Sequence, residues 1–227
     1  MNIQHITMYT SNVEAMKRFY SMVLHFPLKS EDSTSFTIQA GITSVTFTKA
    51  ATQSEPFYHF AFDIPANQFE EAKAWTKERV TLLQEQQDDE VYFPSIDAKS
   101  FYFEDPTGNI VEFICRFSDA EVNEATFKAT SIQKVSEMSL VVRDKLRALP
   151  TLESVSIFER DRQPVAAQGL DFMGTREDAS YLLFVNEGRR WFFSHKKATM
   201  YPLHITLDDG VSIEITENLE LTYSKSI

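Results

Sequence analysis

Strand-forming residues fill Ile3 to Tyr9, and Ser11-Asn12 then offers helix caps before Val13, Met16, Phe19, Tyr20 and Val23, which recur at helical spacing. After Phe26-Pro27 the pattern shortens into strands at Pro27 to Lys29, Ser35 to Gln39 and Thr43 to Thr48, punctuated by Ser, Asp and Gly. The order is β-α-β-β-β. It restarts with the apolar run Tyr58 to Ile64 and a cap region at Pro65-Ala66-Asn67. A helix carrying Phe69, Ala72, Trp75 and Leu82 or Leu83 follows, and then strands at Tyr92-Phe93, Ser100 to Glu104 and Ile110 to Phe117. A repeat of this length is the main organising signal in the chain.

From Ser118 to Thr130 the chain is polar and aperiodic, which predicts a linker. Beyond it the pattern predicts strands at Glu137 to Val142, Ser154 to Phe158, Tyr181 to Val185, Arg190 to Phe193, Leu203 to Leu207 and Val211 to Ile215, with a short helix around Asp144 to Ala148. Asn186-Glu187-Gly188 and Asp208-Asp209-Gly210 are the expected hairpin turns. The division is therefore residues 1–117 as two repeats, 118–130 as linker, and 131–227 as a divergent third unit.

Composition narrows the function. A formal charge of −11 argues against nucleic acid and anionic membrane as partners, because phosphate binding needs clustered Lys and Arg. A small-molecule substrate is the remaining partner class. The single cysteine, Cys115, permits no intrachain disulfide, and the start MNIQHITMYT lacks a basic region followed by an apolar run, so a cytosolic location is expected. The acidic stretch Gln84 to Glu90 reads as a solvated loop.

Alternation places His5 with Ile3 and Thr7 on one strand face, His59 with Phe57 and Ala61, and Glu112 with Ile110 and Ile114. Singly, a strand histidine is more often a hydrogen-bonded structural residue, and a strand glutamate more often faces water at an edge. Jointly, two histidines at the same position of successive repeats and a carboxylate flanked by apolar residues favour a metal, because a buried carboxylate needs a cation or donors. Two imidazoles and one carboxylate leave about three positions of an ion open, which suits Fe(II) or Mn(II), with Zn(II) or Ni(II) also admissible. His25 reads as a turn residue. A second site from His195, His204 and Glu214 is set aside because the hairpin spacing is too short for separate repeat units.

The opening His5 … Phe19-Tyr20 … Leu24-His25-Phe26-Pro27-Leu28 resembles that of vicinal oxygen chelate modules, the glyoxalase, bleomycin-resistance and extradiol-dioxygenase superfamily. The closing segment, Tyr102-Phe103-Glu104-Asp105-Pro106-Thr107-Gly108-Asn109-Ile110-Val111-Glu112, is similar to the Tyr-x-x-Asp-Pro-x-Gly-x-x-x-Glu run of extradiol ring-cleavage dioxygenases. The resemblance implies an α+β fold of paired βαβββ units around a half-barrel metal cleft, with His5, His59 and Glu112 as ligands and Tyr102 as a catalytic residue beside the substrate. It also implies bidentate binding of vicinal substrate oxygens, with a dioxygenase-like oxidoreductase as the leading activity. Two departures matter. No histidine stands at Phe93, Pro94 or Ser95, where the dioxygenases carry an acid-base group, and Thr46 stands where glyoxalase I has a fourth ligand. A glyoxalase-type lyase or isomerase, and a metal-free drug-binding protein, are the alternatives. The resemblance fades beyond residue 117, and the C-terminal part is left to complete the core, cover the cleft or pair with a second copy.

Overall fold

A computed structural model describes residues 1–51 and 54–225 and arranges them as two seven-stranded sheets with few helices. The first βαβββ unit comprises β1 (Ile3–Thr10), α1 (Val13–Arg18), a π turn (Phe19–Val23), β2 (Leu28–Glu31), β3 (Ser35–Ala40) and β4 (Thr43–Lys49). The second comprises β5 (His59–Ile64), α2 (Phe69–Lys77), β6 (Val91–Phe93), β7 (Ala98–Glu104) and β8 (Ile110–Arg116). The remainder supplies β9 (Lys134–Val142), α3 (Lys145–Glu153), β10 (Leu170–Thr175), β11 (Ser180–Asn186), β12 (Leu203–Leu207), β13 (Val211–Ile215) and β14 (Leu221–Lys225). No helix of the described residues is long and apolar enough to cross a membrane.

The sheet orders are β14-β13-β12-β1-β4-β3-β2 and β10-β11-β9-β5-β8-β7-β6. Each βαβββ repeat therefore builds its own sheet, in keeping with the paired units that the sequence predicts. Taken alone, each repeat ends on β1 or β5 at one edge and on β2 or β6 at the other, and an open edge can take a partner strand; the β1 and β5 edges do so. The C-terminal strands fill both edges: β12 pairs antiparallel with β1, and β9 pairs antiparallel with β5. Residues 131–227 thus contribute strands to both sheets. Arg190 to Phe193, expected as a strand, instead makes one bridge to Lys197 within a folded-back loop. Ser154 to Phe158 forms no strand because α3, capped by the Asp144 carboxylate on the Arg147 amide, runs on to Glu153.

Alternation sorts each central strand into two faces. On β5, Phe60, Phe62 and Ile64 enter the core while His59, Ala61 and Asp63 face the other way. The apolar faces of the two units meet, with the Phe26 ring of the first 5.0 Å from the Phe62 ring of the second, and within the first unit Tyr20 stacks on Phe47 at 4.8 Å. The Asp105-Pro106-Thr107-Gly108 turn is built by the Asp105 carboxylate, which accepts from the Thr107 and Asn109 amides, the Tyr20 hydroxyl and the Asn109 side chain. It delivers β8 with Glu112 in register opposite Tyr102.

The β3–β4 turn and the chain entering β9 touch at Gly41. The Gln133 carbonyl accepts from the Ile42 amide at 2.9 Å, and a Cβ on Gly41 would stand 1.8 Å from that oxygen, at a φ of +56°. Gly188 has a similar positive φ of +86° but open space around it. Gly188→Ala should therefore cost only the left-handed strain, about 1–2 kcal/mol, and Gly41→Ala clearly more, because backbone must also move. Urea denaturation of the two variants checks this, with Gly41→Ala the less stable as the expected order.

Candidate metal centre

His59 at the start of β5, Glu112 in the middle of β8 and Glu137 in β9 converge on the polar face of the second sheet. One ligand atom of each lies within 4.8 Å of the others, and all three residues are buried. Register explains the convergence: Ala61 of β5 stands opposite both Glu112 and Glu137.

The tautomer of His59 follows from its partners. Nδ1 lies 3.0 Å from the Ile110 carbonyl, which can only accept, so Nδ1 carries a proton and Nε2 is the ring atom turned inward. Nε2 lies 3.4 Å from Glu112 Oε2. With a second carboxylate beside them, a divalent ion held by Nε2 and the two carboxylates would balance their charge. One imidazole nitrogen and two carboxylates suit a divalent ion such as Mn(II), Fe(II) or Zn(II), and the remaining positions would be open to substrate. The donor set therefore fits the metal that the sequence implied.

Glu137 is held by Arg116. Two percent exposed, the Arg116 guanidinium donates to Glu137 Oε1, to Asp63 Oδ1 and to Ser136 Oγ, the last at 2.9 Å. This occupies one carboxylate oxygen of Glu137 and leaves the other for the ion. Burial, and after it the charge of Glu112, pushes the Glu137 carboxyl above its usual range. Burial also raises Asp63, opposed by Arg116. On Arg116 burial pulls the other way, but Asp63 and Glu137 outweigh it and hold the guanidinium charged.

Of the sequence-predicted residues, the structure brings His59, Glu112 and Tyr102 together and leaves His5 out. Tyr102 lines the same cavity, 6.2 Å between ring centres from His59, its hydroxyl pushed well above its usual pKa by burial and by Glu112. His5 lies on β1 of the other sheet, its Nε2 3.2 Å from Thr7 Oγ1 and 3.3 Å from Thr46 Oγ1, and its pKa lowered by burial, His204 and Lys29. The physical reason is the strand pairing. Because β5 meets β9 and not β1, the place expected for His5 is taken by Glu137 from the C-terminal part, where no ligand was anticipated. The first sheet repeats the geometry without the chemistry. Thr7 stands opposite Thr46 and His204 just as Ala61 stands opposite Glu112 and Glu137, so His5, Thr46 and His204 occupy the equivalent positions with no carboxylate among them. A signal for Glu137 existed in the sequence: Glu137 to Val142 begins a third strand-then-helix unit, as His59 begins the second.

The segment between β11 and β12 closes over the cluster. Trp191 lies 4.8 Å from the His59 ring, Phe193 stacks on Tyr102 at 4.9 Å, and Glu85 accepts from Arg190 and from the Phe193 amide. Lys196 anchors the loop by donating to the Gly108 carbonyl at 2.6 Å. Beneath it lies a cavity of about 400 Å³ with Phe93, Phe172, Trp191 and Phe192 in its walls and His59, Glu112 and Glu137 at its floor.

Arg116 is the charge on which the floor depends in the metal-free state. Replacing it by Met leaves three carboxylates with no buried cation and should cost about 3–5 kcal/mol, the usual result of breaking a buried ion pair on one side. Chemical denaturation of the metal-free variant measures this; a loss below about 1 kcal/mol would contradict the reading.

Residues 2–113 match the model of the Glyoxalase/Bleomycin resistance protein/Dioxygenase superfamily, and residues 135–189 match that of the toxoflavin-degrading enzyme. Among solved structures, a protein described as a candidate dioxygenase from Bacillus subtilis subsp. subtilis str. 168 superposes with a TM-score of 0.56 at 15% identity, over 82% of this chain and 63% of that one. A glyoxalase I variant from Zea mays superposes with a TM-score of 0.54 at 13% identity, over 82% of this chain and 66% of that one. The chain thus spans somewhat less than two thirds of either structure. No curated protein matches it. With its two βαβββ units, each with a polar focus at the same register, and the family model covering both, residues 2–113 of the chain belong to the glyoxalase, bleomycin resistance and dioxygenase superfamily.

Proposed function

We propose that this chain is a divalent-metal-dependent, dioxygenase-like oxidoreductase that acts on a small planar molecule presenting adjacent oxygens. The observation that carries the reading is the convergence of His59, Glu112 and Glu137 at the floor of an aromatic-walled cavity. A volume of about 400 Å³ suits a one- or two-ring molecule, and aromatic walls favour a flat one. The match of residues 135–189 to the toxoflavin-degrading enzyme supports a heteroaromatic substrate, since that segment carries Glu137, Arg160, Phe172 and Leu183 of the cavity.

When bound, a divalent ion would supply Lewis acidity to the substrate oxygens and, if redox-active, a site for oxygen. The chain's own residues perform the remaining tasks. His59, fixed by the Ile110 carbonyl, and Glu137, fixed by Arg116, set the directions of the ligand atoms. Trp191 and Phe193 exclude water above the floor. Tyr102 keeps its proton at neutral pH and offers a hydroxyl to a substrate oxygen as a hydrogen-bond donor. A glyoxalase-type lyase or isomerase is the second reading, favoured by the absence of any histidine at Phe93, Pro94 or Ser95.

Metal binding separates the two sheets. Glu112→Gln and Glu137→Gln should each weaken Mn(II) binding by at least about tenfold, while His5→Ala should leave it unchanged, read as the Mn(II)-induced rise in melting temperature. Loss of the rise in His5→Ala would place the ion elsewhere. For the reaction, the protein loaded with Fe(II) or Mn(II) is incubated with catechols and with toxoflavin while oxygen uptake and product mass are followed. Metal-dependent oxygen uptake that Glu112→Gln abolishes is the expected result. A product of unchanged mass with no oxygen uptake would favour the isomerase reading, and tight binding without turnover in any metal form would favour a sequestering protein.

A further inference from the structure

One wall of the cavity contains a cation whose donors are not all satisfied. Arg160 precedes β10, and its backbone amide donates to the Phe172 carbonyl, so it extends the second sheet by one further row beyond β10. Its guanidinium lies 4.3 Å from the Phe172 ring centre and 5.7 Å from that of Tyr181, held between two rings with its side chain only 13% exposed. Nε and Nη1 are buried and have no hydrogen-bond partner. The nearest carboxylate, Asp161, is engaged by Arg176 through both oxygens; its Oδ2 lies 3.5 Å from Arg160 Nε without the geometry of a hydrogen bond. Buried guanidinium donors left unpaired are costly, and because Arg160 lines the cavity a small turn of its side chain would bring them to a ligand there.

The position of Arg160 says what that ligand is. Glu137 is on β9, and β11, β10 and the Arg160 segment follow it across the sheet. At a strand spacing of roughly 4.8 Å, the Arg160 backbone lies about 14 Å from that of β9, a span that one ring with substituents bridges once side chains reach in from both sides. Between these points the walls are Leu170, Phe172 and Leu183, which offer no other acceptor or donor side chain.

We propose that the substrate is a planar aromatic molecule with a carboxylate, or a comparable anionic acceptor, on the edge away from its adjacent oxygens, and that Arg160 receives that group. The assignment rests on the metal-site reading for the orientation of the ring but not for the recognition of the anion. Arg160 is then a specificity determinant of the cavity, alongside the Arg189 guanidinium that also lines it: two of the Arg160 donors are left unpaired unless the ligand brings an acceptor, so a neutral analogue is discriminated against.

Titration calorimetry of the full chain with 3,4-dihydroxybenzoate and its uncharged analogue 3,4-dihydroxybenzamide, each with and without Mn(II), tests the proposal. The acid should bind at least about tenfold more tightly than the amide, as a charge-assisted arginine contact requires. In Arg160→Met, which keeps an apolar chain of similar length against Phe172, the ratio should fall to within about threefold, while Arg160→Lys should retain part of it. Equal affinities in the unaltered protein, a preference that survives Arg160→Met, or no binding of either probe in any form would overturn the proposal. A preference for the acid that is indifferent to Mn(II) would uphold Arg160 and remove the metal reading instead, so the two failures are distinguishable. The acid-to-amide ratio in the unaltered protein decides the matter even if a variant folds poorly.

Discussion

Three buried carboxylates, Asp63, Glu112 and Glu137, share a single buried guanidinium, Arg116, with Lys134 4.0 Å from Asp63 as the next cation. In a low-dielectric interior this imbalance is expensive, and His59, its Nδ1 held by the Ile110 carbonyl, turns Nε2 toward Glu112. A divalent ion at that focus would balance the excess charge. The rest of the second sheet reads as the means of holding the arrangement: a turn built on Asp105 to fix β8, a bridge from Arg116 to fix Glu137, and an aromatic loop to keep water out.

The same register in the first sheet carries His5, Thr46 and His204, with no carboxylate, and its acceptors and donors pair locally. The contrast separates the shared fold from the chemistry placed on it. Each half of the molecule offers a position where three strands aim side chains at one point, and only one half supplies donors for a hard divalent ion. The cavity follows the same division, since the loop that bears Trp191 and Phe193 covers the second sheet.

Much of this was legible from the chain alone. The two βαβββ repeats, the Asp105 to Gly108 turn and the alternation on β5 and β8 are local patterns that single out His59 and Glu112, while Tyr102 enters through the family resemblance; the structure brings the three to one cavity. What failed is non-local. The partner of the free β5 edge depends on which strand arrives there in space, and nothing within β1 or β9 states that β9 takes the position and excludes β1. Alternation and repeat spacing therefore join His5 to a site it does not face, and they give Glu137, on a strand they do predict, no distinguishing mark. Arg160 was invisible for another reason: its significance lies in what its guanidinium lacks, and no sequence pattern records a missing partner. Short strands were also missed where the pattern is weak, as in Leu170–Thr175 with its internal glycine and in Leu221–Lys225, which is mostly exposed.

The central claim is that one imidazole and two carboxylates bind a divalent ion, and the number of coordinated imidazole nitrogens tests it most directly. Pulsed electron paramagnetic resonance of the Mn(II)-loaded chain reads nitrogen couplings at the ion. The account predicts one directly coordinated imidazole nitrogen, lost in His59→Ala and unchanged in His5→Ala. Two such nitrogens in the unaltered chain, or one that disappears with His5, would contradict it.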